Sequence, residues 1–221
     1  MNQISRTLLF DFDHTLGIDN RLEERVLRGL AIRYCQRVPT DAEIASALES
    51  FRSGGIALDT MIEEAVSSWG GHGAQAILEE YRAVAIALVP GSVEPMPGAQ
   101  ELFALLAVRG VRHAIFSNGW GSLQAAKAAA IGYPGRVITS EEVGAWKPEP
   151  DAFLRGAAEA GFDAASTLYV GDSPVVDVAG SKSAGMQAAW ADLEGKSYPD
   201  DVVKPDHVVT WLPDVVNFVS E

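Results

Sequence analysis

The pattern of apolar and polar positions begins with an apolar run that ends in two carboxylates. Residues Thr7 to Phe10 lead directly into Asp11, Phe12 and Asp13. A short apolar run bounded by polar residues predicts a buried strand of a parallel sheet, and such sheets place their chemistry at the carboxyl ends of their strands. Alternation along a strand puts both Asp side chains on one side, where two like charges require a cation or a shared proton.

The segment that follows carries apolar residues at helical spacing. We predict four helices there, at approximately 19–37, 42–51, 58–69 and 75–88, and no strand between Gly17 and Val89. The run Ser53-Gly54-Gly55 is expected to end the second of these helices. Because the first strand must join a sheet formed further along the chain, this all-helical segment is interpreted as an insertion.

A break rich in proline and glycine, at residues 90–98, separates this segment from a different pattern. Beyond the break we predict strands at 111–117, 137–139, 167–170 and 187–190 and helices at 98–109, 121–130, 151–160 and 175–184, followed by an edge strand at 208–209 and a last helix at 212–219. This alternation is typical of an α/β fold with a doubly wound, Rossmann-like parallel sheet. We therefore expect residues 1–16 and 90–221 to form the α/β core and residues 17–89 to form an inserted all-α cap.

Composition limits the compartment and the partners of the protein. The chain has 221 residues, 48% of them hydrophobic and 21% charged, which is typical of a folded globular protein. Its 17 basic and 30 acidic residues give a net charge of −13, which disfavours nucleic acid and anionic membranes as partners. A single cysteine, Cys35, allows no intrachain disulfide, and we find no signal sequence or membrane-spanning run, so we predict a cytoplasmic protein.

Four groups of polar residues lie at or just beyond the ends of predicted strands. They are Asp11-Phe12-Asp13, Ser117-Asn118-Gly119, Lys147-Pro148-Glu149-Pro150 and Gly171-Asp172-Ser173-Pro174-Val175-Val176-Asp177. Each group by itself is more typical of a turn, a helix cap or a solvated lysine. Together, at the same edge of one sheet, they would bring carboxylates, an ammonium group, a hydroxyl and loop amides into one place.

In the order, spacing and residue types of these four groups the chain resembles the haloacid dehalogenase-like hydrolase superfamily, and within it the helical-cap phosphatase subgroup. The resemblance covers essentially the whole chain. It implies a Mg²⁺-dependent phosphomonoester hydrolase that acts on a small phosphorylated metabolite through an aspartyl-phosphate intermediate. A monomer or a homodimer is compatible with the sequence.

The resemblance also implies a role for each matching residue. Asp11 would be the nucleophile and a metal ligand, whereas Asp13 would bind the metal through its backbone carbonyl and transfer protons with its side chain. That second role calls for a raised pKa, which partial burial and neighbouring carboxylates could supply. The remaining roles are phosphoryl binding for Ser117 and Asn118, contact with nucleophile and phosphoryl for Lys147, metal binding for Asp172, and orientation of Lys147 or of the metal's waters for Asp177.

Other polar residues allow weaker expectations. His14 stands where relatives commonly have glycine, and a local hydrogen bond to the loop is the favoured interpretation. Arg21, Arg25 and Arg28 begin the predicted cap, where the alternatives are a subsite for an anionic substrate tail and, as the favoured interpretation, a solvated helix face.

Three other functions stay open at this point. Haloacid dehalogenases of the superfamily generally lack a carboxylate at the position of Asp13, so that residue favours a phosphatase. A sugar phosphomutase would use the same aspartyl-phosphate and is not excluded. A non-enzymatic phosphate-binding regulator would be expected to lose at least one of the four groups, and all four are present.

Overall fold

A computed structural model describes residues 6–19, 21–52 and 56–219 of the chain. The helix end predicted at Ser53-Gly54-Gly55 lies outside these residues. The chain divides into two compact units, Met1–Ile18 together with Glu94–Glu221, and Asp19–Val93. We call the first the α/β unit and the second the helical unit.

The strands of the α/β unit form one large parallel sheet and one small ribbon. In chain order they are β1 (Thr7–Phe10), β2 (Gly17–Ile18), β3 (Glu94–Pro95), β4 (Arg112–Ser117), β5 (Arg136–Thr139), β6 (Thr167–Gly171), β7 (Gln187–Ala191) and β8 (His207–Val209). The six-stranded sheet has the order β5-β4-β1-β6-β7-β8, and every neighbouring pair in it is parallel. The predicted doubly wound α/β fold is confirmed, with β1 at its centre and Leu8, Leu9 and Phe10 completely buried.

In its described residues the helical unit has four α-helices, as the apolar spacing predicts. They are α1 (Leu22–Tyr34), α2 (Asp41–Arg52), α3 (Leu58–Ser68) and α4 (Ala74–Leu88). Their apolar faces share a core in which Leu27, Ile62 and Tyr81 are buried. A capping box begins α2, because the Thr40 backbone N–H donates to Glu43 Oε2 at 2.8 Å and the Glu43 N–H donates to Thr40 Oγ1 at 3.3 Å. The role of this unit as a cap stays a prediction.

A short antiparallel ribbon marks the boundary between the units. Strand β2 pairs with β3, with Gly17 opposite Pro95 and Ile18 opposite Glu94. The prediction that no strand occurs between Gly17 and Val89 is therefore wrong at Gly17–Ile18. Two residues are too few to show a periodic pattern, and their partner lies far along the chain. The ribbon belongs to the α/β unit, so this unit ends after Ile18 and resumes at Glu94, a few residues from the predicted boundaries.

The helices of the α/β unit follow the predicted alternation with the strands. They are α5 (Ala99–Arg109), α6 (Gly121–Ala130), α7 (Ser140–Val143), α8 (Pro150–Glu159) and α9 (Gly180–Ser183). The helix predicted at 175–184 begins as a π-helical turn, Pro174–Ala179, and the last helix is a 3₁₀ helix, Leu212–Phe218. Turns of the π type occur frequently at functional sites, and this one carries Asp177. In the described part of the chain, we find no helix with both the length and the apolar character needed to cross a membrane.

Candidate functional site

Three carboxylates meet at the carboxyl ends of the two central strands. Asp11 directly follows β1, and Asp172 and Asp177 follow β6. Ligand oxygens of these three residues lie within 4.8 Å of one another. The parallel pairing of β1 with β6 causes this meeting, since it places both strand ends at the same edge of the sheet. The structure thus brings together two of the four predicted groups.

Lys147 joins the third group to this cluster. Its side chain is only 3% exposed. The ammonium donates to Asp11 Oδ1 at 2.7 Å, to Asp177 Oδ1 at 2.8 Å and to the Tyr169 hydroxyl at 2.8 Å, so all three of its N–H groups have partners. Tyr169 in turn donates to the Phe116 backbone carbonyl at 2.8 Å. A buried lysine is stable only with partners of this kind.

The charges of Asp11 and Lys147 follow from their burial and their contact. Burial raises the pKa of Asp11 to about 6, although the Lys147 ammonium opposes the shift. Burial lowers the pKa of Lys147, but the carboxylates of Asp11 and Asp177 raise it well above its ordinary value overall. At neutral pH Lys147 is therefore charged and Asp11 is mostly ionised.

Asp177 is held by the turn that carries it. Its Oδ2 accepts a hydrogen bond from the Ser173 backbone N–H at 3.0 Å, and its Oδ1 accepts the bond from Lys147. Ser173 also caps the turn, with its hydroxyl accepting from the Val176 N–H at 3.2 Å. Both carboxylate oxygens of Asp177 are thus engaged inside the protein.

Asp13 lies in a different environment from Asp11. Lys127 in α6 donates to its Oδ1 at 2.8 Å, and Gln124 in the same helix donates to its Oδ2 at 3.3 Å. Burial raises the pKa of Asp13, but the charge of Lys127 and the hydrogen bonds from Lys127 and Gln124 lower it overall. The sequence led us to expect a raised pKa for Asp13. That prediction is wrong, because the positive charge of Lys127 lies next to the carboxylate.

Sequence reasoning missed Lys127, Gln124 and Tyr169. A signal for the first two exists, since Gln124 and Lys127 stand three residues apart among alanines, in the helix that follows Ser117-Asn118-Gly119. Tyr169 gives no such signal. It lies within the buried strand β6, where an aromatic side chain is expected for packing alone.

Asn118 ties the second predicted group to the third. Its Nδ2 donates to the Lys147 backbone carbonyl at 3.0 Å, and its Oδ1 accepts from the Lys147 N–H at 3.0 Å and from the Ser140 hydroxyl. Ser117, which ends β4, is buried and donates through Oγ to the Asn118 carbonyl at 3.3 Å. The Asn118 side chain therefore fixes the loop that presents Lys147.

The donor set fits a hard divalent cation. Asp11 and Asp172 offer carboxylate oxygens, which are the ligands that Mg²⁺ prefers. Burial raises the pKa of Asp172, and the Asp11 charge adds to this shift, while Lys196, 3.1 Å from Asp172 Oδ2, opposes it. A cation between Asp11 and Asp172 would relieve this repulsion.

The remaining sequence candidates pair with residues outside the four predicted groups, and the side-chain partner of His14 lies far along the chain instead of in its own loop, where it was expected. His14 has a φ of 57°, in the left-handed region that favours glycine, and its Nδ1 lies 3.2 Å from Glu194 Oε1. The arginines at the start of the helical unit line one cavity there and are paired, Arg21 with Glu24, Arg25 with Ser92 and Arg28 with Asp41.

A doubly wound sheet with carboxylates and a buried lysine at its central strand ends defines a class of α/β enzyme. The particular family follows from comparison with known proteins. A family model described as haloacid dehalogenase-like hydrolase matches residues 6–185. The match covers most of the chain, and the protein belongs to this family.

Two curated relatives and one solved structure illustrate the similarity. Phosphoserine phosphatase from Thermus thermophilus is 34% identical over 128 residues, which are 57% of this chain and 50% of that protein. Haloacetate dehalogenase H-2 from Moraxella sp. is 28% identical over 131 residues, 58% of each chain. The chain spans about half the length of the first of these relatives. The crystal structure of CbbY from Rhodobacter sphaeroides in complex with phosphate superposes with a TM-score of 0.75 at 17% identity, over 96% of both chains, and supports the fold.

Proposed function

We propose that the protein is a Mg²⁺-dependent phosphomonoester hydrolase that acts on a small phosphorylated metabolite through a phosphorylated Asp11. The observation that carries the proposal is the meeting of Asp11, Asp172 and Asp177 within 4.8 Å, with the Lys147 ammonium bonded to two of them. A nucleophilic carboxylate beside a fixed cation suits attack on a negatively charged phosphoryl group. The similarity to phosphoserine phosphatase supports the reaction class.

In the first step a carboxylate oxygen of Asp11 attacks phosphorus, and the bond from phosphorus to the leaving oxygen breaks. Asp13, as the carboxylic acid, gives its proton to that oxygen, so that an alcohol departs. The lowered pKa of Asp13 disfavours the acid form that this step requires, and it favours the carboxylate of the second step. Asp11 needs no activating base, because it is mostly ionised at neutral pH even with its pKa raised to about 6. Lys147 stabilises the negative charge of the transferring group.

In the second step water attacks the phosphorus of phosphorylated Asp11, and the bond from phosphorus to the Asp11 oxygen breaks. Asp13, now a carboxylate, takes a proton from the water. Inorganic phosphate leaves, and the Asp11 carboxylate and the Asp13 carboxylic acid are restored. The lowered pKa of Asp13 favours the carboxylate form that this step requires.

The other site residues hold and orient these groups. Asp177 orients Lys147, because both of its own oxygens are engaged, one of them by the lysine. Ser117 and the Asn118 backbone amide bind the phosphoryl group. Asp11, Asp172 and the backbone carbonyl of Asp13 would hold Mg²⁺, which when bound offsets the repulsion between the carboxylates and a phosphate ester. We assign the helical unit the role of the cap domain that the sequence predicts.

Hydrolytic dehalogenation is the second candidate, and the similarity to haloacetate dehalogenase H-2 favours it. A halide leaves as a stable anion and needs no proton, whereas an alkoxide does. Asp13, whose carboxyl group is one-third exposed and bonded by two side chains, is a proton-transfer group that a dehalogenase does not require. A sugar phosphomutase shares the first step and differs in what accepts the phosphoryl group.

The test is a screen for released phosphate over phosphorylated amino acids, sugars, nucleotides and small carboxylic acids, with Mg²⁺ and with EDTA. Chloride release from chloroacetate is measured in parallel. We expect phosphate release that EDTA abolishes, and no chloride. Chloride without phosphate would favour the dehalogenase, and transfer between two sugar positions without net phosphate release would favour the mutase.

A trapping experiment tests the intermediate. Protein quenched in acid during turnover should carry phosphate, and Asp11→Asn should not. Asp200→Asn is the matched control, because it removes one carboxylate from an exposed position in the same unit and should leave the trapped phosphate unchanged. Phosphate trapped on Asp11→Asn would overturn the assignment of the nucleophile.

A further inference from the structure

Lys127 is a buried charge that the proposed mechanism does not use. It lies in α6, its side chain is only 1% exposed, and its Nζ is 2.8 Å from Asp13 Oδ1. Lysine is almost never buried to this degree without a partner. Its contacts include the carboxyl group of a proposed proton-transfer residue, so Lys127 is close enough to the reacting groups to affect the reaction.

Gln124 makes the matching contact on the other oxygen. It lies three residues before Lys127, on the same face of α6, and it is buried. Its Nε2 lies 3.3 Å from Asp13 Oδ2 and 3.2 Å from the Asn118 backbone carbonyl. Each oxygen of Asp13 is therefore held by a different side chain of one helix.

We propose that Lys127 and Gln124 are positioning residues that hold the Asp13 carboxyl group in the direction its proton transfers require. The inference rests on the proposed phosphatase function. A carboxylate oxygen can accept two hydrogen bonds, so one bond to each oxygen fixes the orientation and leaves room for a second partner. A proton-transfer group must lie within hydrogen-bond reach of its target, and a freely rotating side chain would spend little time there.

Lys127 and Asp13 differ in burial, and this difference allows an experiment to distinguish a positioning role from a purely structural one. The Asp13 side chain is 34% exposed, so water can replace Lys127 at its carboxylate. Replacing Lys127 by the apolar and similarly long methionine should therefore leave the unfolding midpoint little changed. A structural ion pair would instead show its loss in stability.

The test compares two esters that differ in the basicity of the leaving oxygen and little in shape, phenyl phosphate and 4-nitrophenyl phosphate. Phenoxide needs a proton more than 4-nitrophenoxide does. We expect Lys127→Met to lower kcat/KM for phenyl phosphate at least about tenfold and for 4-nitrophenyl phosphate less than about threefold. The ratio kcat/KM reports the first step only, so a change in the rate of the second step does not affect the result.

Gln124→Leu should give the same pattern more weakly. It provides the test if Lys127→Met does not fold.

Lys182→Met is the matched control. Lys182 also pairs with an aspartate, at 2.7 Å from Asp206 Oδ1, but neither residue contacts the site. This variant should leave the ratio of the two substrates unchanged.

A double-mutant cycle completes the test. In an Asp13→Asn background, Lys127→Met should change the residual kcat/KM less than about twofold, because its effect passes through Asp13. An equal loss on both esters, a gain on phenyl phosphate, or an undiminished effect in the Asp13→Asn background would overturn the inference. If the wild-type protein releases phosphate from neither ester and from no member of the screen, the proposed function is contradicted, and this inference with it.

Discussion

The carboxyl group of Asp177 packs against the backbone of Gly171, so closely that a β-carbon at position 171 would lie 2.4 Å from Asp177 Cγ. Gly171 ends strand β6, and Asp177 lies in the π-helical turn that follows. The absence of a side chain at Gly171 thus gives Asp177 the space from which it reaches Lys147. Gly171 therefore contributes to the site through its small size, although it has no reactive side chain.

Gly171→Ala should disturb this arrangement. Asp177 is fully buried and bonded at both oxygens, so it has little room to give way. We expect the free energy of unfolding in urea to fall by about 1–3 kcal/mol, as for other overpacked sites. Phosphate release should fall as well, because Lys147 loses its orienting partner.

Gly29→Ala is the control for this prediction. Gly29 lies inside helix α1, and a β-carbon there would meet nothing within 4 Å. Alanine should raise the free energy of unfolding by about 0.5–1 kcal/mol, since glycine is unfavourable inside a helix. Similar effects of both substitutions would contradict the packing argument.

Mg²⁺ should stabilise the folded protein through Asp172. A ligand that binds only the folded state at about one hundred times its Kd adds about 2.7 kcal/mol to the free energy of unfolding. We expect the thermal midpoint to rise as Mg²⁺ is titrated into protein freed of metal with EDTA. Asp172→Asn should remove most of this rise, because the position loses its charged oxygen ligand.

Asp200→Asn should keep the full response to Mg²⁺, since Asp200 is exposed and pairs only with Lys204 among the contacts of the described residues. An undiminished Mg²⁺ response in Asp172→Asn would show that the cation binds elsewhere.

The stability of the metal-free protein should depend on the protonation of Asp11. Its pKa is raised from an ordinary 3.8 to about 6 in the folded state, mainly by burial. The folded protein therefore binds this proton more tightly than the unfolded chain does. The resulting stabilisation is complete below about pH 4 and is lost as the pH rises to about 6, a change of about 3 kcal/mol.

Asp11→Asn isolates this contribution, because asparagine does not titrate. The free energy of unfolding of the wild type, minus that of Asp11→Asn, should fall between pH 3 and pH 7 when both are measured with EDTA. A difference that is constant or rises with pH would show that Asp11 is not destabilised by its burial.

The fold could be predicted because its signals are local. Apolar runs such as Thr7–Phe10 and Thr167–Gly171 are bounded by turn residues, and glycines and prolines mark most of the breaks. The ribbon between Gly17–Ile18 and Glu94–Pro95 could not be predicted, since a two-residue strand is defined only by a partner distant in sequence. The π-helical form of Pro174–Ala179 was missed because apolar spacing does not distinguish its wider hydrogen bond, from the Val178 N–H to the Ser173 carbonyl, from those of an α-helix.

That Asp11, Lys147 and Asp172 lie close together could be predicted from residue type, order and position near strand ends, whereas their chemical roles stay predictions. What could not be predicted is which groups contact each other. The pKa of Asp13 is lowered by Lys127. Lys127 lies in an alanine-rich helix whose sequence alone indicates a packing role. Tyr169 was hidden for the same reason, since a buried strand residue shows a polar contact only when its neighbours are in place.

In our proposal the choice of a phosphatase over a dehalogenase depends on Asp13, and Asp13→Asn tests it. Asparagine keeps the size of the side chain but cannot give or take the proton, so kcat for a phosphate ester should fall by about 10²–10⁴. KM should change far less, because the residue acts after the ester is bound. Steady-state phosphate release from the best substrate of the screen measures both constants, and the lysine-pair control Lys182→Met should match the wild type. A kcat close to that of the wild type would remove the acid and base role from Asp13 and, with it, the feature that favours phosphate esters over haloacids.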